Sequence, residues 1–228
     1  LLSFVDETVG LDNTLVVLSA DHGAPEAPGY LETVGIEAQT FSFEEANTEL
    51  GLARLQQEFG LSSELIESFT NPYVYLDRAA IDAAGLDPEE VEIAVTEELQ
   101  KLAGIALAVS SSALRSGALP DTKISRAVRV NFHPDRSGDI YIVFEPHWFV
   151  AEFDGLTVAS AHGSPWAYDS HVPIIIAGAG VTPGTVHRRV ETVDVASTIA
   201  AKMRTNAPSG AVGVPLLEAL TMRTFVPV

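Results

Sequence analysis

Apolar residues recur along this chain with two different periods, and the alternation between them predicts an α/β protein. Residues 1–9 set Leu1, Phe4, Val5 and Thr8 at helical spacing and run into Gly10, a residue suited to ending a helix. Residues 14–19 (Thr-Leu-Val-Val-Leu-Ser) form a continuous apolar run instead, which predicts a strand covered on both faces. Residues 172–177 repeat that signature late in the chain, and shorter runs predict strands over 73–76, 105–109 and 139–144. Helices interleave with them. Ser42 and Glu45 fit a capping box for a helix to about residue 59, and a second short helix is predicted over 63–68. Asp87-Pro88-Glu89-Glu90 starts a helix towards residue 102, with its acidic residues in the first turn. Asp121 is expected to cap a helix through 132, and Asp194 a last one to about 203. Strands that alternate with helices argue for a layered fold in which a mostly parallel sheet is covered on both sides.

Residues 146–170 fit neither period. They are dense in Gly, His, Trp and Asp, the composition of a functional loop. Charge narrows the chemistry such a loop can serve. Thirteen basic residues against thirty-one acidic ones give a net charge of −18, which repels nucleic-acid backbones and anionic substrates alike. A nucleic-acid groove is therefore not expected, and any phosphate site needs metal ions or buried arginines to reverse the local sign. With no cysteine, disulfides, thiolate metal sites and cysteine nucleophiles are excluded. The longest apolar stretch, around 172–181, is too short and too rich in Gly and Pro to span a membrane. The start, Leu1-Leu2-Ser3, has neither Met nor a basic region and reads as a fragment or processed product.

Two segments carry candidate chemistry. Asp21-His22-Gly23 directly follows the 14–19 strand, and in open α/β sheets ligands bind beyond the carboxyl ends of strands. An Asp and a His side by side offer one oxygen and one nitrogen ligand, a pair that suits zinc, and Gly23 would let the backbone turn sharply. As an isolated tripeptide the same residues read first as a turn with a bystander histidine. The second segment places His162-Gly163-Ser164-Pro165 and Tyr168-Asp169-Ser170-His171 ahead of the 172–177 strand. Here too a hydrogen-bonded loop histidine is an equal alternative when the segment is read alone. His171 and Asp169 are expected to support a site or face its substrate, and His147, after the 139–144 strand, to border it. Gly178-Ala179-Gly180 and Ser209-Gly210 read as turns and not as phosphate cradles.

Taken together, these segments resemble the alkaline phosphatase superfamily, in particular its single-chain metal-dependent phosphatases and phosphodiesterases. Leu15-Val-Val-Leu-Ser-Ala-Asp21-His22-Gly23 resembles the strand and Asp-His pair of that family, and His162-Gly-Ser-Pro-Trp-Ala-Tyr-Asp-Ser-His-Val-Pro173 its late histidine segment. Val193-Asp194-Val195-Ala196-Ser197-Thr198-Ile199 resembles its last helix, and Pro208-Ser-Gly-Ala-Val-Gly-Val-Pro215 its closing segment. The resemblance implies an α/β/α core over 1–41 and 133–228, with 42–132 a small inserted cap and the sheet incomplete on its N-terminal side. It implies two zinc ions per complete site, one bound by Asp21 and His22 and the other by His162, around a Thr or Ser nucleophile. That nucleophile and the remaining ligands are expected upstream of Leu1.

The chain is thus expected to be the C-terminal portion of a zinc-dependent phosphate-ester hydrolase acting on small molecules. By itself it should be inactive, and a missing N-terminal half or a second chain would complete it. The resemblance also suggests a periplasmic or secreted location. The alternatives are a sulfatase or phosphonate hydrolase relative and a non-catalytic binding module on the same fold.

Overall fold

The computed structural model of the chain describes residues 1–153, 156–178 and 180–220. In chain order its strands are β1 (Leu15–Leu18), β2 (Gln39–Thr40), β3 (Ile66–Thr70), β4 (Tyr73–Leu76), β5 (Ile105–Ser110), β6 (Ile140–Phe144), β7 (Trp148–Phe149), β8 (Glu152–Phe153), β9 (Leu156–Thr157) and β10 (Ile175–Gly178). Helices alternate with them, so the fold is mixed α/β as the sequence predicts. Two units emerge: one joins Leu1–His22 to His171–Val228, and the other is Gly23–Ser170.

The unit Gly23–Ser170 is built on a four-stranded sheet of order β3-β4-β6-β5. The sequence Ile-Tyr-Ile-Val-Phe makes β6 its centre, because a strand buried at every position must be apolar on both faces. Ile140, Ile142 and Phe144 enter the main core with Val91, Val95 and Leu99 of the helix Pro88–Leu99 and with Leu52 and Leu55 of the helix Leu50–Glu58. Tyr141 and Val143 point the other way, onto Val128 of the helix Lys123–Asn131. The helix Pro88–Leu99 starts as predicted: Asp87 accepts the Glu89 N–H at 2.9 Å, and Pro88 takes the first helical position. Its stripe of Val91, Val95 and Leu99 is fully buried. Glu92 on the same face is 2% exposed and is held by Arg78, Ser111 and the Ser112 N–H.

In the other unit β1 pairs with β10, Leu15 opposite Gly178 and Leu18 opposite Ile175. Leu15, Val17 and Ile176 meet Val195, Thr198 and Ile199 of the helix Asp194–Met203 along one seam. The opposite face carries Leu18 and Ile175, which remain 59% and 52% exposed.

Several expectations are corrected. Residues 63–68 are not a helix; Ile66 to Thr70 form β3, since pairing with β4 outweighs a weak local helical period. The 14–19 strand is covered on one face among the described residues, because an apolar run does not reveal how many layers flank it. Parallel pairing occurs only between β2 and β7 among the described strands; the other pairings are antiparallel. A strand buried on both faces looks the same in either direction, so the apolar run that suggested a parallel sheet could not decide this. Thr122, not Asp121, caps the helix Lys123–Asn131, accepting the Ser125 N–H at 3.1 Å, while Asp121 pairs with Arg126. Asp194 lies inside its helix and accepts instead from the Glu191 and Val214 N–H groups, tying the 213–214 segment to the helix start. Apart from these corrections, the two units divide at 22/23 and 170/171, and β6 pairs with β4 and β5 inside Gly23–Ser170. Residues 221–228 and Ala179 of the expected Gly178-Ala179-Gly180 turn lie outside the described residues.

Candidate metal-binding and active-site segments

The Asp-His pair sits three residues beyond the carboxyl end of β1. Ser19 Oγ donates to the Pro173 carbonyl at 3.0 Å and ties that strand end to the approach of β10. Two residues on, Asp21 Oδ1 accepts the N–H of His22 at 3.0 Å, and its Oδ2 lies 3.6 Å from His22 Nε2. The Asp21 side chain is 88% exposed and that of His22 39%, so a carboxylate and an imidazole stand together and open to solvent. His171, exposed, belongs to the same unit just before β10.

In the unit Gly23–Ser170 the late histidine segment is built around Asp169. His162 is exposed, and its carbonyl accepts from Asn71 Nδ2 at 3.2 Å. Gly163 follows with φ of 108°, a left-handed conformation that a side chain would strain. Ser164 then donates its N–H to Asp169 Oδ2 at 2.7 Å, and Asp169 is only 3% exposed. The Asp169 carbonyl accepts the N–H of Gly23 at 2.7 Å. A Cβ on Gly23 would stand 2.0 Å from the Tyr168 carbonyl oxygen. Gly23 has no left-handed φ, so close approach of another backbone, not the sharp turn expected from sequence, is what requires glycine here. Trp166 anchors the segment by donating Nε1–H to the Phe144 carbonyl at the end of β6, at 2.9 Å.

His147 occupies an unusual turn. Trp148 N–H donates to the Glu145 carbonyl at 3.0 Å across Pro146 and His147, and His147 has φ of 65°, where such turns ordinarily carry Gly or Asn. Tyr168 holds it there. The two rings stack at 4.8 Å and 27°, and the His147 N–H donates to the Tyr168 hydroxyl at 3.1 Å. The turn borders a groove of about 410 Å³ lined by Glu37, Gly104, Glu145, Pro146, His147 and Trp148. Two buried polar atoms lack a hydrogen-bond partner among the described residues, His147 Nδ1 and Asp169 Oδ1.

The structure thus sets Asp21 beside His22, while in the other unit Asp169 holds Ser164, two residues after His162, and Tyr168 holds His147. The donor chemistry of the Asp21–His22 pair fits a zinc ion in kind, while among the described residues no group of three or more His, Asp or Glu is placed to hold a metal. Sequence reasoning missed Tyr168, Ser164 and Asn71. Tyr168 could have been weighed from its place beside Asp169, but the partners of Ser164 and Asn71 follow from tertiary placement. Among the described residues no helix is long and apolar enough to cross a membrane.

Comparison with known proteins gives consistent relatives. No protein-family model matches the chain. A protein of Myroides odoratus named calcium-transporting ATPase is 31% identical over 219 residues, covering 96% of this chain and 39% of that protein. Alkaline phosphatase PafA of Elizabethkingia meningoseptica is 31% identical over 216 residues, 95% of this chain and 38% of that protein. Alkaline phosphatase PhoV of Synechococcus elongatus is 28% identical over 226 residues, with 96% and 38% covered. The crystal structure of wild-type PafA superposes with a TM-score of 0.80 at 30% identity, over 96% of this chain and 41% of that one. The chain therefore spans about two-fifths of the length of the proteins it matches.

Proposed function

The chain belongs to the alkaline phosphatase superfamily as a C-terminal part of that fold, and from this we propose that it is the metal-binding portion of a zinc-dependent phosphate-ester hydrolase. In this reading Asp21 and His22 are ligands of one ion and His162 of the other. The observation that carries it is the Asp21–His22 pair, carboxylate beside imidazole with 3.6 Å between Oδ2 and Nε2, exposed just beyond the end of β1. The charge balance supports it as well. On a chain of net charge −18, a phosphate ester needs local positive charge that only cations or buried arginines supply. The metal ions would supply that charge and lower the pKa of bound water. The protein groups have simpler tasks: Asp21 orients His22 through the bond to its N–H, and Gly163 lets the chain reverse immediately after His162. The nucleophile and the remaining ligands would come from polypeptide outside residues 1–228, and the substrate would be a small phosphomonoester or phosphodiester.

Titration calorimetry with zinc on the intact chain tests this reading. Asp21→Ala, His22→Ala and His162→Ala should each weaken binding, and the chain alone should hydrolyse an aryl phosphate negligibly. Adding the missing portion of a relative such as PafA should restore turnover. Zinc binding that is indifferent to all three substitutions would remove the basis for the proposal.

A further inference from the structure

Asp169 is the one buried carboxylate in the loop 162–169, and its surroundings are unequal. One oxygen receives the Ser164 N–H at 2.7 Å; the other, Oδ1, is buried and meets no hydrogen-bond partner among the described residues. Its backbone carbonyl meanwhile holds the N–H of Gly23, the residue after His22, at 2.7 Å. Asp169 therefore fixes the backbone two residues after His162 and one residue after the Asp-His pair. If accepting the Ser164 N–H were its whole task, asparagine would serve equally. Asparagine would also spare the fold a buried anion, which costs more than a buried amide. By contrast Glu92, the buried carboxylate of the main core, has a guanidinium, a hydroxyl and a backbone N–H on its two oxygens. A buried carboxylate without such compensation reads as one whose countercharge arrives with a ligand.

We propose that Asp169 is a positioning residue for the ion held by His162: one of its oxygens sets the segment that follows His162, and its unmatched charge balances the bound divalent cation. The inference rests on the reading of His162 as a metal ligand. It adds a specific element to that reading, a carboxylate retained at the expense of metal-free stability.

The test uses the intact chain, with zinc as the probe, in wild type, Asp169→Asn, Asp169→Ala and His162→Ala. Thermal unfolding in a chelator comes first. Asp169→Asn should melt at or above wild type, because the Ser164 bond survives and the buried charge is gone. Asp169→Ala should melt lower, because the Ser164 N–H loses its acceptor. Zinc titration then separates position from charge: Asp169→Asn should bind roughly 10–100-fold more weakly than wild type, the range seen for residues that support metal ligands. A purely structural aspartate would not produce that combination. Asp169→Asn binding zinc as wild type does, while His162→Ala binds weakly, overturns this inference and leaves the metal reading standing. Asp169→Asn melting as low as Asp169→Ala in chelator also overturns it, since the charge would then be needed by the fold itself. Wild type binding zinc no better than His162→Ala, or not at all, sinks the metal reading and this inference with it.

Discussion

Gly23→Ala isolates the contact that links the residue after the Asp-His pair to the late histidine loop. The new Cβ would stand 2.0 Å from the Tyr168 carbonyl oxygen and 3.1 Å from its carbon. Ordinary carbon-to-oxygen contacts begin at about 3.3 Å, so one backbone must retreat by more than about 1 Å. Both obstacles are main chain, so no rotamer change relieves the clash. That retreat also breaks the 2.7 Å bond from Gly23 N–H to the Asp169 carbonyl. Overpacking costs about 1–3 kcal/mol and the lost bond about 0.5–1.5 kcal/mol, against a gain of about 0.4–1 kcal/mol from stiffening the unfolded chain. The net is a loss of about 2 kcal/mol, within a range of about 0.5–4 kcal/mol, and the central value corresponds to about 4–8 °C in melting temperature for a chain of this size. Gly29→Ala is the matched control. Gly29 lies in the helix Pro28–Thr33 with nothing within 4 Å of its added Cβ, so there the same change should stabilise, by up to about 1 kcal/mol. Thermal unfolding followed by circular dichroism measures both. Should Gly23→Ala melt with wild type or above it, the close approach is not a constraint and its place in the motif needs another cause.

Two further substitutions probe charge. Arg78 pairs with Glu92 and Asp139, and Arg78→Ala would leave Glu92, 2% exposed, without its cation. Breaking a fully buried pair costs about 3–5 kcal/mol; solvent reaches Arg78, so about 2–3 kcal/mol is expected in urea unfolding, and a loss below about 1 kcal/mol would contradict it. In the other unit, the hydrogen bonds from Arg188 hold the Glu218 carboxyl down at about 2, below its usual 4.5. A depressed carboxyl stabilises the fold above its unfolded pKa and loses that contribution as acid protonates it. Stability should therefore fall as pH drops from 4.5 towards 2, and Glu218→Gln should flatten that segment of the curve; identical curves would argue that the pair is irrelevant to folding.

What could be read from the sequence was whatever local chemistry decides. The Asp87-Pro88 helix start and the Ser42–Glu45 cap depend on residues two or three apart, and both appear as expected. So does β4, whose Tyr-Val-Tyr-Leu alternates half-buried with buried positions. Strand direction and layer count were not legible, because they depend on partners distant in the chain. Leu15-Val-Val-Leu and Ile-Tyr-Ile-Val-Phe look alike in sequence, yet the first keeps an exposed face and the second is buried throughout. Ser110 shows the same limit: at the end of β5 it caps the following helix by accepting the Ala113 N–H, a cap the sequence did not announce against a run of three serines. As candidates, Asp21, His22 and His162 were legible by residue type and position in the sequence. The asymmetry of Asp169 and the clash that dictates Gly23 were not, since each depends on a contact between residues far apart in sequence.

The two units also support their candidate residues differently. In Gly23–Ser170 the loop 162–169 is anchored by Trp166 to the end of β6, and β6 is the most buried strand of a four-stranded sheet with helices packed on both faces. His147 shows how firm that support is: a non-glycine residue with φ of 65° persists only where its surroundings over-determine it, here through the ring and hydroxyl of Tyr168. Asp21 and His22 instead follow β1, half of a two-stranded ladder. Among the described residues of that unit the buried apolar side chains are Ala200, Leu216 and Ala219. A two-stranded ladder with so little apolar cover is marginal by itself. Metal affinity depends on ligands held in place before the ion arrives, so under the proposed reading the weak support under β1, more than the identity of the donors, limits how tightly Asp21 and His22 hold an ion.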